Sequence, residues 1–293
     1  MHRRGWPTTI FVLAVTALLA GIPPAGAITA KASTTSCGGK RLAKPGGGAW
    51  VCTFDDEFSL AKLDGTKWWV PTTAATGFGA GQSCFLASLN NIAVRSGMLN
   101  LTVRREAAPL TCTTPSGSFV TPYTSGTVNT LGRFSQTYGR FEIRAKFPAS
   151  TVAGLQSSLW LWPTTYKYGA WPTNGEIDIA EAFSLYPDRV IPYVHYTPLA
   201  SDPNVTNNYC LINPAQFHTY VATWTSSSIT ITFDGRTCIA DAWNPAPPLT
   251  RPQPFDQPFI VALTQALGVQ ANAVTAATPL PATTLIDYVR VWS

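Results

Sequence analysis

The stretch "WPTNGEIDIAEAF" (residues 171–183) places Glu176, Asp178 and Glu181 within six residues and sets Ile177, Ile179 and Ala180 between them. On a β-strand, side chains alternate between faces. Glu176 and Asp178 then share one face while Ile177 and Ile179 enter a core. Glu181 lies five positions after Glu176 and falls on the wrong side of a regular strand. One extra residue, a β-bulge at Ile179 or Ala180, brings it round, and bulges commonly re-aim side chains beside active sites. The stretch is therefore expected to be a bulged strand with three acids on one wet face. The plainer reading is three solvated acids on an edge strand.

The rest of the chain repeats the period of two. In "MLNLTVRR", Leu99, Leu101 and Val103 share a face, and in "RFEIRAKF" Phe141, Ile143, Ala145 and Phe147 do. "SITITFDG" sets Ile229, Ile231 and Phe233 on one side and ends in Asp234-Gly235, a hairpin signal. "LIDYVRVW" closes the chain as another strand. No helical stripe is sustained, and the 24 prolines argue against long helices. An all-β fold is expected, a two-sheet antiparallel β-sandwich.

Only 12% of the 293 residues are charged, against roughly a quarter in ordinary domains. The net charge of +5 is scattered rather than clustered, which argues against a nucleic-acid partner. Residues 1–27 combine Arg3 and Arg4, an apolar run from Ile10 to Leu19, and Ala25-Gly26-Ala27. This is the pattern of a cleaved signal peptide. Pro23, Pro24 and the short apolar run favour that over an uncleaved anchor. The mature protein is expected to be secreted and free of the membrane. Residues 28–48 are small, polar and glycine-rich and read as a flexible N-terminal segment, and 49–293 read as one domain. The six cysteines fit disulfides in an exported chain, although about 15 connectivities exist for six. Sequential pairing is expected, Cys210–Cys238 above all. No C-x-x-C pair suggests zinc. Asn100 and Asn204 open glycosylation sequons.

A pair of glutamates flanking an aspartate suits glycosidic cleavage. One carboxylate must be ionised to attack while the other holds a proton for the leaving oxygen, and crowding raises at least one pKa. With the bulge, the glutamates stand about 13 Å apart at Cα, from a rise of ~3.3 Å per residue. Leaning side chains could close this to the about 5–5.5 Å of retaining enzymes, and the roughly 6.5–9.5 Å of inverting ones also remains open. Trp160, Trp162 and Trp171 precede the strand, and tryptophan faces stack on sugar rings. His195, in "YVHYTP", is expected on the next strand.

These residues resemble glycoside hydrolase family 16, in the E-x-D-x-x-E form found in its laminarinase-like members, the endo-β-1,3-glucanases. "FDDEF" (54–58), "YTSGTVNT", "YGRFEIRAKFP", "FHTYVATWTSSSITITFDG" and "IDYVRVW" resemble the family's other strands, over about residues 50–292. The resemblance implies a jelly roll with a concave sugar cleft and retaining double displacement. Glu176 would be the nucleophile, Asp178 its assistant and Glu181 the acid/base. Trp160 and Trp171 would line donor-side subsites, with His195 near the acid/base and Asn91 against the sugar. No cofactor is required. Some relatives hold a structural calcium at positions matching Glu57 and Asp287, which are otherwise salt-bridge partners. The implied partner is a β-glucan polysaccharide, β-1,3-linked or mixed β-1,3-1,4. Thr127, Gln156, Thr264 and Gln265 depart from the family's usual residues at expected cleft positions. A galactan hydrolase, a transglycosylase or a non-catalytic glycan-binding protein therefore stay open as alternatives.

Overall fold

The computed structural model describes residues 36–293. The expected signal peptide, 1–27, lies outside the described residues. Among the described residues, fourteen strands account for almost all regular structure. The first five are β1 (Cys52–Asp56), β2 (Cys84–Phe85), β3 (Ile92–Arg95), β4 (Met98–Thr114) and β5 (Gly117–Asn129). The next four are β6 (Gly139–Lys146), β7 (Leu155–Pro163), β8 (Glu176–Phe183) and β9 (Ile191–His195). The last five are β10 (His218–Trp224), β11 (Ile229–Phe233), β12 (Arg236–Asp241), β13 (Phe259–Leu267) and β14 (Ala282–Trp292). A single α-helical turn (Thr73–Thr76) and a short 3-10 turn (Gln270–Asn272) are the helical elements among the described residues.

Hydrogen bonding runs in the order β12-β11-β10-β6-β14-β4-β5-β13-β7-β8-β9, with β1 on β14, β2 on β5 and β3 on β4. All these pairs are antiparallel except β2–β5. The long strands β4 and β5 carry the backbone ladder from one sheet to the other, closing the sandwich at that side. The expected all-β jelly-roll class is what forms.

The alternating segments supply the core as their periodicity requires. Leu99, Leu101, Phe141, Ile143, Ala145, Ile229, Ile231 and Phe233 are buried in one cluster with Leu159, Leu161, Ile177 and Leu263 from the opposite sheet. Burying that apolar face against another is what holds two sheets together, at about 25 cal/mol per Å² removed from water. Asp234 and Gly235 both take positive φ (49° and 81°) and turn β11 into β12. A two-residue turn of that hand matches the twist of the strands it joins.

The cysteines pair sequentially, as Cys37–Cys52, Cys84–Cys112 and Cys210–Cys238. The first of these corrects the reading of residues 28–48. From residue 36 onward this segment is tied to the sheet rather than loose. Cys37 is bonded to β1, the Gly38 amide donates to Asp55, and Lys40 pairs with the fully buried Glu142 on β6. Its glycines and polar residues resemble a linker in composition, but the disulfide and the charge pair fix it.

Candidate active site

Strand β8 carries the bulge that the sequence requires. Ser158 faces Glu181 and Leu159 faces Ala180, and then the register slips so that Trp160 faces Asp178, which leaves Ile179 as the extra residue. On the other side the register also breaks between Asp178 and Glu181. Ile177, Ile179 and Ala180 are all fully buried in the core, so two successive residues point inward. Glu176, Asp178 and Glu181 consequently share the outer face. Gly175 sets the entry to the strand. Its φ is 85°, and a Cβ there would meet Phe255 at 3.0 Å and Pro254 at 3.2 Å. The preceding loop is tied by Asn174, whose side chain accepts from the Tyr168 amide and donates to Thr165 O.

Each acid has its own partner. Trp171 Nε1 donates to Glu176 Oε2 at 2.6 Å. His195 Nε2 lies 3.0 Å from Asp178 Oδ2. Gln156 Nε2 and Ser158 Oγ both donate to Glu181 Oε1, at 3.1 and 3.0 Å. Burial pushes Glu176 well above the usual carboxylate range, Asp178 and Glu181 push it further, and His195 and Trp171 oppose them. Burial likewise raises Asp178, with Glu181 adding to it. Glu181 is raised by burial against the pull of His195, Gln156 and Ser158. Burial lowers the His195 pKa, against the two glutamates. Glu176 and Asp178 are buried and Glu181 is half-buried, and carboxylates this close oppose one another's ionisation, so the three titrate as a coupled group. Holding one proton among several carboxyls is the condition for acid and base to coexist on one site.

The cleft over this cluster is lined by Phe78, Ala80, Trp160, Thr264 and Ala266. Trp160 Nε1 donates to Thr264 Oγ1, which also bonds Thr127 Oγ1. Phe78 stacks on Trp160 with ring centroids 6.3 Å apart, and Trp162 meets Trp160 edge-on at 5.7 Å. The His195 ring lies flat on Tyr193 at 3.9 Å and 5.2 Å from Trp171.

The structure thus gathers Glu176, Asp178, Glu181, Trp160, Trp171 and His195. His195 contacts Asp178 rather than the Glu181 carboxyl, because β9 pairs it opposite Glu176 at the start of β8. Asn91 does not join the group. It is 1% exposed, and its amide donates to Thr102 O and Thr124 Oγ1 beneath the β4–β5 ladder. Gln265 also departs from its expected cleft position. It is fully buried on the core side of β13, accepting from Ser157 and Thr284 while its neighbour Thr264 takes the cleft side. Glu57 and Asp287 are separate ion-pair partners. Arg290 grips both oxygens of Glu57 at 2.7 and 2.8 Å, and Arg144 holds Asp287. With those charges neutralised, the two residues do not form a calcium cradle. Among the described residues the grouped metal-capable atoms are those of Glu176, Asp178 and His195. The contacts of these three to Trp171 and to one another fit proton sharing better than the oxygen-rich shell that calcium takes.

Phe78, Tyr193 and Ser158 were not singled out as site residues from the sequence, whereas Gln156 and Thr264, read as cleft positions, do line the cleft. The period of two in "LQSSLWLW" puts Gln156, Ser158, Trp160 and Trp162 on one face, which is a signal for Ser158.

An all-β sandwich whose outer face carries buried carboxyls beside tryptophans defines a glycoside hydrolase, and comparison with known proteins agrees. The model of glycosyl hydrolases family 16 matches residues 82–264. The chain is 31% identical over 261 residues to a β-glucanase of Rhodothermus marinus, spanning 83% of this chain and 85% of that one. It is 28% identical over 260 residues to glucan endo-1,3-β-glucosidase A1 of Niallia circulans, covering 82% of this chain and 37% of that protein's length. The X-ray structure of the laminarinase from Rhodothermus marinus superposes with a TM-score of 0.68 at 30% identity, covering 83% of this chain and 97% of that one. The chain belongs to glycosyl hydrolases family 16.

Proposed function

We propose that this protein is an exported retaining endo-glycosidase that cleaves β-1,3-glucan, with mixed-linkage β-1,3-1,4-glucan as a second substrate. The observation that carries the reading is the bulge in β8, which sets Glu176 and Glu181 on one face with Asp178 between them. The relatives named as β-glucanase and glucan endo-1,3-β-glucosidase support the substrate class. Three disulfides support an oxidising compartment.

In this reading the Glu176 carboxylate attacks the anomeric carbon. The glycosidic C–O bond breaks, its electron pair stays on the leaving oxygen, and Glu181 gives that oxygen its proton. The Glu181 carboxylate then takes a proton from water, the hydroxide oxygen displaces Glu176, and both residues return to their starting states. Asp178, held by His195, is the neighbour whose charge or proton biases Glu176. Trp171 steadies the ionised form of Glu176 through its indole N–H. Trp160 offers an apolar face to a sugar ring.

The test is release of reducing sugar from β-1,3-glucan, mixed-linkage glucan, β-1,4-glucan, agarose and carrageenan. Activity on the β-1,3-linked substrates is expected. Activity confined to agarose or carrageenan would replace the glucan assignment with a galactan one. Glycan binding without release from any member would point to a binding protein.

A further inference from the structure

Glu181 differs from the other two acids in how it is held. Both of its side-chain hydrogen bonds come from β7, and both end on the same oxygen, Oε1. Gln156 and Ser158 are 7% and 8% exposed, so the donors are built into the floor of the site rather than waving over it. Ser158 sits directly opposite Glu181 in the β7–β8 register, and Gln156 is two residues back on the same face. The bulge at Ile179 is what brings the carboxyl into line with them.

A carboxylic acid that must donate a proton has two inequivalent oxygens in use. One carries the proton toward the leaving group, and the other is free to be anchored. We propose that Gln156 and Ser158 are positioning residues for proton transfer: by both donating to Oε1, they hold that oxygen against the sheet and reserve Oε2 of Glu181 for the glycosidic oxygen. This rests on Glu181 as the proton donor of the proposed mechanism. The same two bonds favour the carboxylate over the acid. The other titratable groups facing Glu181 are Glu176 and Asp178 on its own strand and His195 on β9, whereas β7 brings neutral donors only. Gln156 and Ser158 therefore tune the proton affinity of Glu181 without adding a charge that would also perturb Glu176. They also supply the base step, since a pinned carboxylate presents Oε2 to the incoming water after the first displacement.

The experiment compares the wild type with Ser158→Ala and the double variant Gln156→Leu/Ser158→Ala, with Glu181→Ala alongside. Rates are followed against pH on β-1,3-glucan and on a β-1,3-gluco-oligosaccharide with a dinitrophenyl leaving group, which departs without protonation. On the glucan, kcat is expected to fall about tenfold in the double variant, a fraction of the total worth of general acid catalysis. KM should stay within about twofold, and the basic limb of the pH profile should move to higher pH. On the dinitrophenyl substrate the first displacement should keep its rate. An unmoved basic limb, or an equal loss on both substrates, would overturn the proposal. Ser158→Ala removes one oxygen only, so it carries the same test, with a smaller displacement of the limb, should the double variant not fold. Wild-type turnover of glucan by Glu181→Ala would instead overturn the proton-donor reading beneath it.

Discussion

Glu176 and Glu181 are the same side chain asked to do opposite things, and their neighbours decide which does which. Glu176 accepts one strong bond from an indole N–H, while Glu181 accepts two from an amide and a hydroxyl. Replacing Glu176 with Gln keeps the shape and the indole's acceptor but removes the attacking charge. Hydrolysis of glucan should then drop by about three orders of magnitude or more while binding persists, as measured by turnover beside a glycan-affinity assay. Trp171→Phe acts more gently. It removes a donor that favours ionised Glu176, so the proton affinity of Glu176 rises. The acidic limb of kcat/KM should shift to higher pH, because less of the nucleophile is ionised at any given acidic pH. A limb that stays in place would mean that the indole only packs. Gln265 shows what alternation tells and what it hides at this scale. In "VALTQALG", Thr264 and Gln265 are adjacent on a strand and cannot both face the cleft. The sequence does not say which one does, because both are polar. The interior network with Ser157 and Thr284 selects Gln265 for the core side.

At the scale of the strand, the acidic stretch was readable because its spacing breaks a simple rule. Two acids fit a period of two, the third does not, and a single inserted residue repairs the pattern. Asn91 was less legible, since nothing in "NNIAVRSG" distinguishes an asparagine that meets a sugar from one whose amide bridges two buried strands. The end of β12 holds a feature with no such signal. Asp241 is 1% exposed with neither carboxylate oxygen hydrogen-bonded by an ordinary donor, and Asp202 stands beside it. Burial, with the Asp202 charge, pushes Asp241 from an ordinary 3.8 up to about 7. A carboxyl whose pKa is higher folded than unfolded binds its proton more tightly in the native state. Its contribution to stability is thus full at low pH and is lost as pH rises from about 4 through about 7. Urea denaturation of Asp241→Asn at pH 5 and pH 8 should show a smaller fall in stability between the two than the wild type does. An equal fall would assign the pH dependence to the acids of β8 instead.

Over the whole molecule, the fold class was legible from alternation, but the pairing was not. β6 lies between β10 and β14, and β13 between β5 and β7, partners separated by long stretches of chain. No local pattern encodes such neighbours, which are chosen by which apolar faces close the common core. The N-terminal segment is a similar case, where composition suggested slack and a long-range disulfide imposes order. Cys84–Cys112 ties the loop bearing Phe78 to the far part of β4, across a sequence separation of 28. Its loss through Cys84→Ser/Cys112→Ser should cost about 3.6 kcal/mol by the loop-entropy argument, read from chemical denaturation. The loop wall at Phe78 would loosen, so KM should rise more than kcat falls. The acid pair on the outer sheet makes the strongest demand on the molecule as a whole, since it fixes the stereochemistry of the product. The most direct test is proton NMR of a β-1,3-glucan oligosaccharide in the first minutes of hydrolysis, before the anomers equilibrate. Attack by Glu176 followed by water predicts that the new reducing end appears first as the β-anomer. First appearance of the α-anomer would mean a single displacement by water and would contradict the account.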